Sequence, residues 1–395
     1  MQAHELFPNI IDASGFVELE GSGGHRKLRL CFLASGSVHT VRWMKDFAER
    51  DYDVHLVTFD KMDQVESARI HRLKYRSKLA YPFRILDVKR VVNEMNPDVL
   101  HALYISHYGV YAALSGFHPL IISVLGSDIL IAPERSRIFR FGVQLALMKA
   151  DLVHVGDEGG RKTLIELGCD PKKILTQEWG VDLDRFSPNA RSQTLRDRLG
   201  IRNCYSVLSA SSWKVDYNVD VLIKAIPLVL NRVPDVKFIL LGGGGLEDHL
   251  KALADKLGVH ENILFIGKVP YEEMPMYLAS VDVFVDTISD YAHAFGRIIK
   301  RKGGMGIGQT TKEAMACGTP QVLPSHSSVN YDLFKGLTYK QLDYFDLAEK
   351  IVQLLQDQKA RRRIGEESRR AVVEHCDQKT IAEGWHNIYH KLSRK

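Results

Sequence analysis

From Lys27 onward, short runs of aliphatic and β-branched residues alternate with longer stretches whose apolar positions recur every three or four residues. A run buried on both faces reads as a strand of a parallel sheet, and the amphipathic stretch that follows as the helix crossing back over it. In the first half, strands are predicted at 28–33, 54–59, 99–103, 120–124 and 152–155, with helices at 41–50, 82–96, 106–115 and 139–149. Asn96-Pro97-Asp98 stops one of these helices, because the residue before a proline is pushed out of the helical region. A second series begins near Tyr205. Its strands are expected at 206–209, 236–241, 263–266, 281–285 and 321–323, and its helices at 219–230, 246–257, 272–279 and 311–316. Two further helical patterns, 345–355 and 360–374, precede an amphipathic one at 380–392. Such alternation predicts an α/β protein with two doubly wound, Rossmann-like parallel-sheet domains. Segment 180–202, with Pro188 and many charges, reads as the crossing between them.

Composition narrows the class. A chain of 395 residues exceeds one ordinary core, and 45% apolar with 26% charged residues suits a soluble globular protein. The net charge of +5 comes without a long basic stripe, so nucleic acid is not an expected partner. Five scattered cysteines without C-x-x-C spacing suggest a reducing, cytoplasmic setting and neither a disulfide framework nor a zinc site. No apolar run approaches the ~20 residues of a membrane span. Residues 1–26 lack the basic-then-apolar order of a secretory signal and, with Gly21–Gly24, are expected to be a flexible segment.

The most informative stretch runs from Gly306 to Pro320. It reads as a glycine-rich turn, a short helix and a glycine stop. Thr310 or Thr311 is expected to cap the helix, whose free amides at Gly308, Gln309, Thr310 and Thr311 make a seat for phosphate. Glu313 would be repelled by phosphate, so a sugar hydroxyl is its expected partner. A capping box with Thr310 is the competing reading. Other candidates follow predicted strands, where ligands of open α/β sheets bind. They are Gly36, Ser37 and His39; His101 and His107; Gly126, Ser127 and Asp128; Ser212 and Lys214; Gly243 in the run Gly242–Gly245; and Lys268. For His101 and His107, hydrogen bonding within the core competes with a place at a ligand, and for Asp128 helix capping does. Arg297, Lys300, Arg301 and Lys302 form a basic cluster, read either as an anion site or as a solvated loop.

The string G-x-x-x-x-E-A-M-A-C-G-T-P at 308–320 resembles the donor-binding signature of the retaining glycosyltransferase family 4, and the likeness extends over 27–392. That resemblance implies the GT-B fold, with two domains facing a cleft and a final helix returning to the first. Residues 27–190 with 377–395 would form the acceptor domain, and 191–376 the nucleotide-sugar domain. It also implies a metal-independent retaining transfer, with no cofactor, from a UDP-, GDP- or ADP-sugar to a glycan or lipid-linked acceptor. Cytoplasmic location at the inner face of a membrane is compatible with it. Under it, Lys214, Glu313 and Asp128 are the catalytic candidates. Gly36, Ser37, Ser212, Gly243, Lys268, Gly308, Gln309, Thr310 and Thr311 are expected on the donor, and His39 and His107 on the acceptor. Leu125-Gly-Ser-Asp128 resembles the family's H-G-S-D, with leucine in place of the donor-contacting histidine, and Met305 replaces the family's first glutamate. Trp179–Phe186 resembles its N-G-V-D-x-x-x-F, where Asp182 is expected either at ligand or in the hinge. Alternatives are a GT-B sugar-nucleotide 2-epimerase, or a homologue that binds sugar nucleotides without turnover.

Overall fold

The computed structural model describes residues 26–61, 68–74, 81–294, 297–300, 306–325 and 333–394. The expected flexible segment 1–26, apart from Arg26, lies outside the described residues, as do Arg301, Lys302 and Met305. Contacts divide the chain into two compact units, with breaks at Glu178/Trp179 and Lys379/Thr380.

Unit 1 runs β1 (Leu28–Leu33), α1 (Val38–Ala48), β2 (Tyr52–Thr58), β3 (Ala68–Arg72), α2 (Tyr81–Met95), β4 (Val99–Leu103), α3 (Val110–Ser115), β5 (Leu120–Ser123), α4 (Ser127–Leu130), α5 (Ala132–Arg135), α6 (Arg137–Lys149), β6 (Leu152–Val155), α7 (Glu158–Glu166) and β7 (Ile174–Thr176). A single π-helical turn, Ile105–Gly109, precedes α3. The strands pair in parallel in the order β3-β2-β1-β4-β5-β6-β7. Because parallel crossovers are right-handed, the helices that follow β3, β4 and β5 share one face of the sheet, and α1, which runs the other way, covers the opposite face.

Unit 2 continues with α8 (Gln193–Arg198), β8 (Tyr205–Ala210), α9 (Val219–Leu230), β9 (Val236–Leu241), α10 (Glu247–Lys256), β10 (Ile263–Gly267), α11 (Met274–Ala279), β11 (Val283–Val285), β12 (Tyr291–Ala294), β13 (Arg297–Lys300), α12 (Gln309–Ala316), β14 (Gln321–Pro324), β15 (Leu337–Tyr339), α13 (Tyr344–Gln356) and α14 (Gln358–His375). Its sheet has the order β10-β9-β8-β11-β14-β15, and β12 and β13 form a separate antiparallel pair. Apolar clusters fill both faces, one around Leu222, Phe238 and Ile351, the other around Phe186, Leu208 and Met315. Segment 180–202 is not a loose linker. Val181 and Phe186 are fully buried in the second cluster with Leu195 and Ile201, and the Val181 N–H donates to Cys376 O at 2.7 Å.

The last helix, α15 (Gln378–Ser393), contributes Trp385 and Tyr389 to unit 1. Trp385 packs edge-on to Trp43 (5.5 Å) and stacks on His101 (5.1 Å), while Tyr389 meets Phe47 at 5.1 Å. This is the returning helix that the resemblance implies.

Candidate functional site

Ligands of an open parallel sheet sit where neighbouring strands send their connections in opposite directions. In unit 2 that point lies between β8 and β11, since β8 leads on to β9 at one side and β11 to β14 at the other. The two outgoing loops are stitched together. Asn218, in a left-handed conformation (φ 50°), donates from Nδ2 to Thr287 O (3.3 Å) and Ser289 Oγ (3.1 Å), and Thr287 Oγ1 donates to Tyr217 O (2.6 Å).

Helix α12 starts at this crevice, with Gly308 as N-cap in extended conformation. Neither threonine caps it, contrary to the sequence expectation. Thr310 and Thr311 lie inside the first turn, and the Thr311 hydroxyl donates to Asp286 Oδ2 at 3.0 Å. The capping box between Thr310 and Glu313 therefore does not form. Glu313 is buried instead, and Tyr271 donates its hydroxyl to Glu313 Oε1 at 2.9 Å. The Tyr271 ring packs on Phe186 (5.6 Å) beneath the Arg185 guanidinium (5.7 Å). Gln309 reaches backward, donating from Nε2 to Gly180 O (2.8 Å), and its Oε1 is buried without a hydrogen-bond partner among the described residues. Lys312, also buried, donates to Trp179 O at 3.3 Å.

Asp286 changes the electrostatics of the seat. The first three amides of α12 have no acceptor within the helix, yet a carboxylate already stands beside them. Lys214 and Lys268 are both exposed, and their stems lie against Gly244 and Gly243. Ser212 is half-buried in the same loop. The four glycines look like a ligand cradle in sequence, but two of them serve packing. A Cβ on Gly242 would collide with Ser211 O and one on Gly244 with Trp213 O, because the β8 loop runs directly against this turn.

Unit 1 has its own reversal point, between β1 and β4. Ser37 caps α1, accepting from the Thr40 N–H at 3.3 Å, and the Gly36 amide donates to Asp60 Oδ2 at 2.8 Å. The amide expected on phosphate is thus held by a carboxylate. The side chain of His39 lies outside the described residues. Tyr104 leaves β4 with φ 79° and enters the π-helical turn that carries half-buried His107. The His107 ring stacks on Tyr104 (5.9 Å) and its Nδ1 lies 3.1 Å from Ser106 Oγ.

Asp128 is fully buried. Its Oδ2 accepts from the Ile105 N–H (2.8 Å) and its Oδ1 from the Leu125 N–H (3.0 Å), which clasps the β4 and β5 loops together. Burial pushes its pKa up to about 6, against the opposing pull of these amides. Asp128 does not cap α4, whose N-cap is Gly126, and each of its carboxylate oxygens accepts from a backbone amide. Asp182 serves the local turn, accepting from the Arg185 N–H at 3.0 Å.

His101 takes the core role. His154 Nε2 is 2.9 Å from Gln177 O, so it carries the proton, and its Nδ1 accepts from Ser123 Oγ at 2.9 Å. Ser123 then accepts from His101 Nε2 (2.7 Å), and His101 Nδ1 accepts from the Tyr389 hydroxyl (2.7 Å). Tyr389 in turn accepts from the Trp43 indole N–H at 3.4 Å. The two ends, a carbonyl that only accepts and an indole that only donates, fix every proton between them. Burial holds His101 neutral, well below the usual histidine range.

Sequence reading passed over Asp286, Tyr271, Asp60 and Lys312. Asp286 carried a usable signal, as the first polar residue after a buried strand; Tyr271 and Asp60 act through tertiary neighbours and carried none. Among the described residues no group of three or more His, Cys, Asp or Glu gathers as a metal site.

Residues 29–156 match the family model described as glycosyl transferase 4-like, and residues 193–371 match that of glycosyl transferases group 1. A GDP-mannose-dependent alpha-(1-6)-phosphatidylinositol monomannoside mannosyltransferase of Mycolicibacterium smegmatis is 31% identical over 42% of this chain. That match spans less than half of the relative, 42% of its length. An N-acetyl-alpha-D-glucosaminyl L-malate synthase of Bacillus anthracis is 23% identical over 89% of this chain and 92% of its own. Among solved structures, Anabaena HepE in complex with UDP and glucose superposes with a TM-score of 0.73 at 21% identity, covering 91% of this chain and 100% of that one.

Proposed function

The chain belongs to the family 4-like, group 1 glycosyltransferases of the GT-B fold, and we propose that it moves a hexose from a nucleotide-diphosphate sugar to a hydroxyl acceptor with retention. One observation carries this reading: the N-terminus of α12 opens at the reversal point of unit 2, with Glu313 fixed by Tyr271 in its first turns. The α12 amides and the exposed lysines Lys214 and Lys268 meet the charge that grows on the departing diphosphate, which is the principal electrostatic demand of such a transfer. Asp286 would repel an unbalanced diphosphate, so the lysines carry much of that task and no metal ion is required. Glu313 presents its carboxylate to a ribose hydroxyl. The departing phosphate takes the acceptor's proton, so the chain's work is to hold and orient both substrates. Asp128 is a positioning residue in this scheme, setting the β4 and β5 loops where His107 would meet the acceptor. The names of the mannosyltransferase and of the UDP–glucose complex support a sugar nucleotide as donor, and the former a lipid-linked acceptor.

A thermal-shift screen with UDP-, GDP- and ADP-sugars tests the reading. One donor is expected to raise Tm with increasing concentration, with and without chelator. Glu313→Ala should weaken that response; if no sugar nucleotide shifts Tm, the reading fails. A second reading, binding without turnover, draws on the Gly36 amide already held by Asp60 and on Leu125. It predicts the same shifts with no transfer to any of a wide panel of acceptors. Nothing observed favours the 2-epimerase alternative, whose chemistry needs several acid–base groups around one sugar.

A further inference from the structure

Helix α6 of unit 1 has two apolar faces, and only one is covered. Val143, Ala146 and Leu147 are buried. On the opposite side Ile138, Phe141, Leu145 and Met148 follow one another at intervals of three, four and three, which aligns them in one stripe. Ile138 is 82% exposed, Phe141 66% and Met148 64%. A surface helix ordinarily shows water its polar face, and an uncovered apolar stripe marks an interaction surface. The stripe is not isolated. Gly142 lets α6 lie against Val110 of α3, and Arg84 of α2 donates to Tyr111 of α3 at 3.2 Å. Helices α2, α3 and α6 therefore lie side by side, and α2 adds Phe83 and Leu86, also largely exposed.

The charges indicate what covers this face. Helix α6 contains Arg137, Arg140 and Lys149 and no acidic residue. Lys173 donates to Met148 O (3.1 Å) and Ala150 O (2.9 Å), which sets it and Lys172 at the end of the same helix. The acids that flank the helix are both engaged, Glu134 with Arg140 at 3.2 Å and Asp151 with His118 at 2.7 Å. A twofold contact with a second copy would bring α6 bases against the same bases with no acid on the helix to receive them. An anionic bilayer offers both complements at once, acyl chains for the stripe and phosphate headgroups for its basic flanks. Among the described residues no helix is long and apolar enough to cross a membrane, so the contact is with the surface. We infer that the outward face of α6, extended by Phe83 and Leu86, docks unit 1 on an anionic lipid surface.

The test uses the full chain and flotation with two vesicle types, phosphatidylcholine alone and phosphatidylcholine containing phosphatidylglycerol. The protein should float with the anionic vesicles, less so as salt rises, and not with the neutral ones. The double variant Ile138→Ser/Phe141→Ser should bind at least ~10-fold more weakly. Arg137→Gln/Lys149→Gln should lose the preference for anionic lipid. All four altered side chains are exposed, so unfolding midpoints and nucleotide-sugar shifts should stay at wild-type values. Equal flotation of wild type and Ile138→Ser/Phe141→Ser overturns the inference. So does a wild-type dimer in light scattering that the same variant dissociates, without vesicle binding, which would make the face a contact between copies. Because flotation needs no donor, vesicle binding and sugar-nucleotide binding can fail independently of each other.

Discussion

Two buried carboxylates on helices, Asp128 of α4 and Glu313 of α12, differ in what reaches their oxygens. Two backbone amides hold Asp128, whereas a tyrosine hydroxyl holds Glu313. Asp128 has a folded pKa of about 6 against 3.8 unfolded, so its contribution to stability is complete below about pH 4 and is lost as pH rises through 6. Relative to Asp128→Asn, wild type should therefore lose about 2 kcal/mol of unfolding free energy between pH 4 and pH 7. Urea titrations of both proteins at each pH measure this, and parallel curves would refute it. For Glu313 the partner is the experiment. Tyr271→Phe keeps the ring on Phe186 and removes only the hydroxyl, a bond to a charged group worth about 1.5–3 kcal/mol. Affinity for the preferred sugar nucleotide, measured where both proteins are folded, should fall roughly tenfold or more, and the Tm of the free protein should fall too, because it loses the same bond.

Helices and strands were legible in proportion to their burial. The wholly buried strands β4 and β6, the largely buried β1 and helix α9 fall at their sequence-predicted bounds, because their apolar runs leave little choice. Strand β3, Ala-Arg-Ile-His-Arg on the sheet edge, shows no such run, and three-residue β7 and β15 are too short to read; each exists only because a neighbouring strand offers it a ladder. Loops were the least legible. The Gly242–Gly245 turn reads the same whether its glycines admit a ligand or the adjacent backbone, and only the β8 loop decides. That gives a paired prediction. Gly242 has φ 140° and would drive a Cβ into Ser211 O, so Gly242→Ala should cost more than about 2 kcal/mol. Gly245, with nothing within 4 Å, should accept alanine within about 0.5 kcal/mol. Similar losses in chemical denaturation would show that the turn is not packed in this way.

Across the whole molecule, the sequence disclosed two wound halves and the final helix, but not the proton order that binds this helix to unit 1. Beside that relay, Tyr52 Oη lies 2.6 Å from His386 Nδ1, and burial, then His390 and Arg50, lower the His386 pKa to about 4. The unfolded value lies near 6.5, so neutral His386 contributes stability above pH 6.5 that is lost as pH falls through 4. His386→Gln should flatten that acid limb, measured as hydrogen exchange of α15 from pH 7 to pH 4; an unaltered profile would assign the limb to other groups.

Unit 1 begins near the start of the chain yet is finished by its end, with the roughly 200 residues of unit 2 between. At 5–20 residues per second, a ribosome needs roughly ten to forty seconds to make that insert. During all of it the nascent unit 1 leaves Trp43, Phe47 and His101 uncovered. Synthesis should therefore depend on chaperones that shield this aromatic patch, and transcripts stopped before Thr380 should yield aggregates in which only the later-made unit is folded.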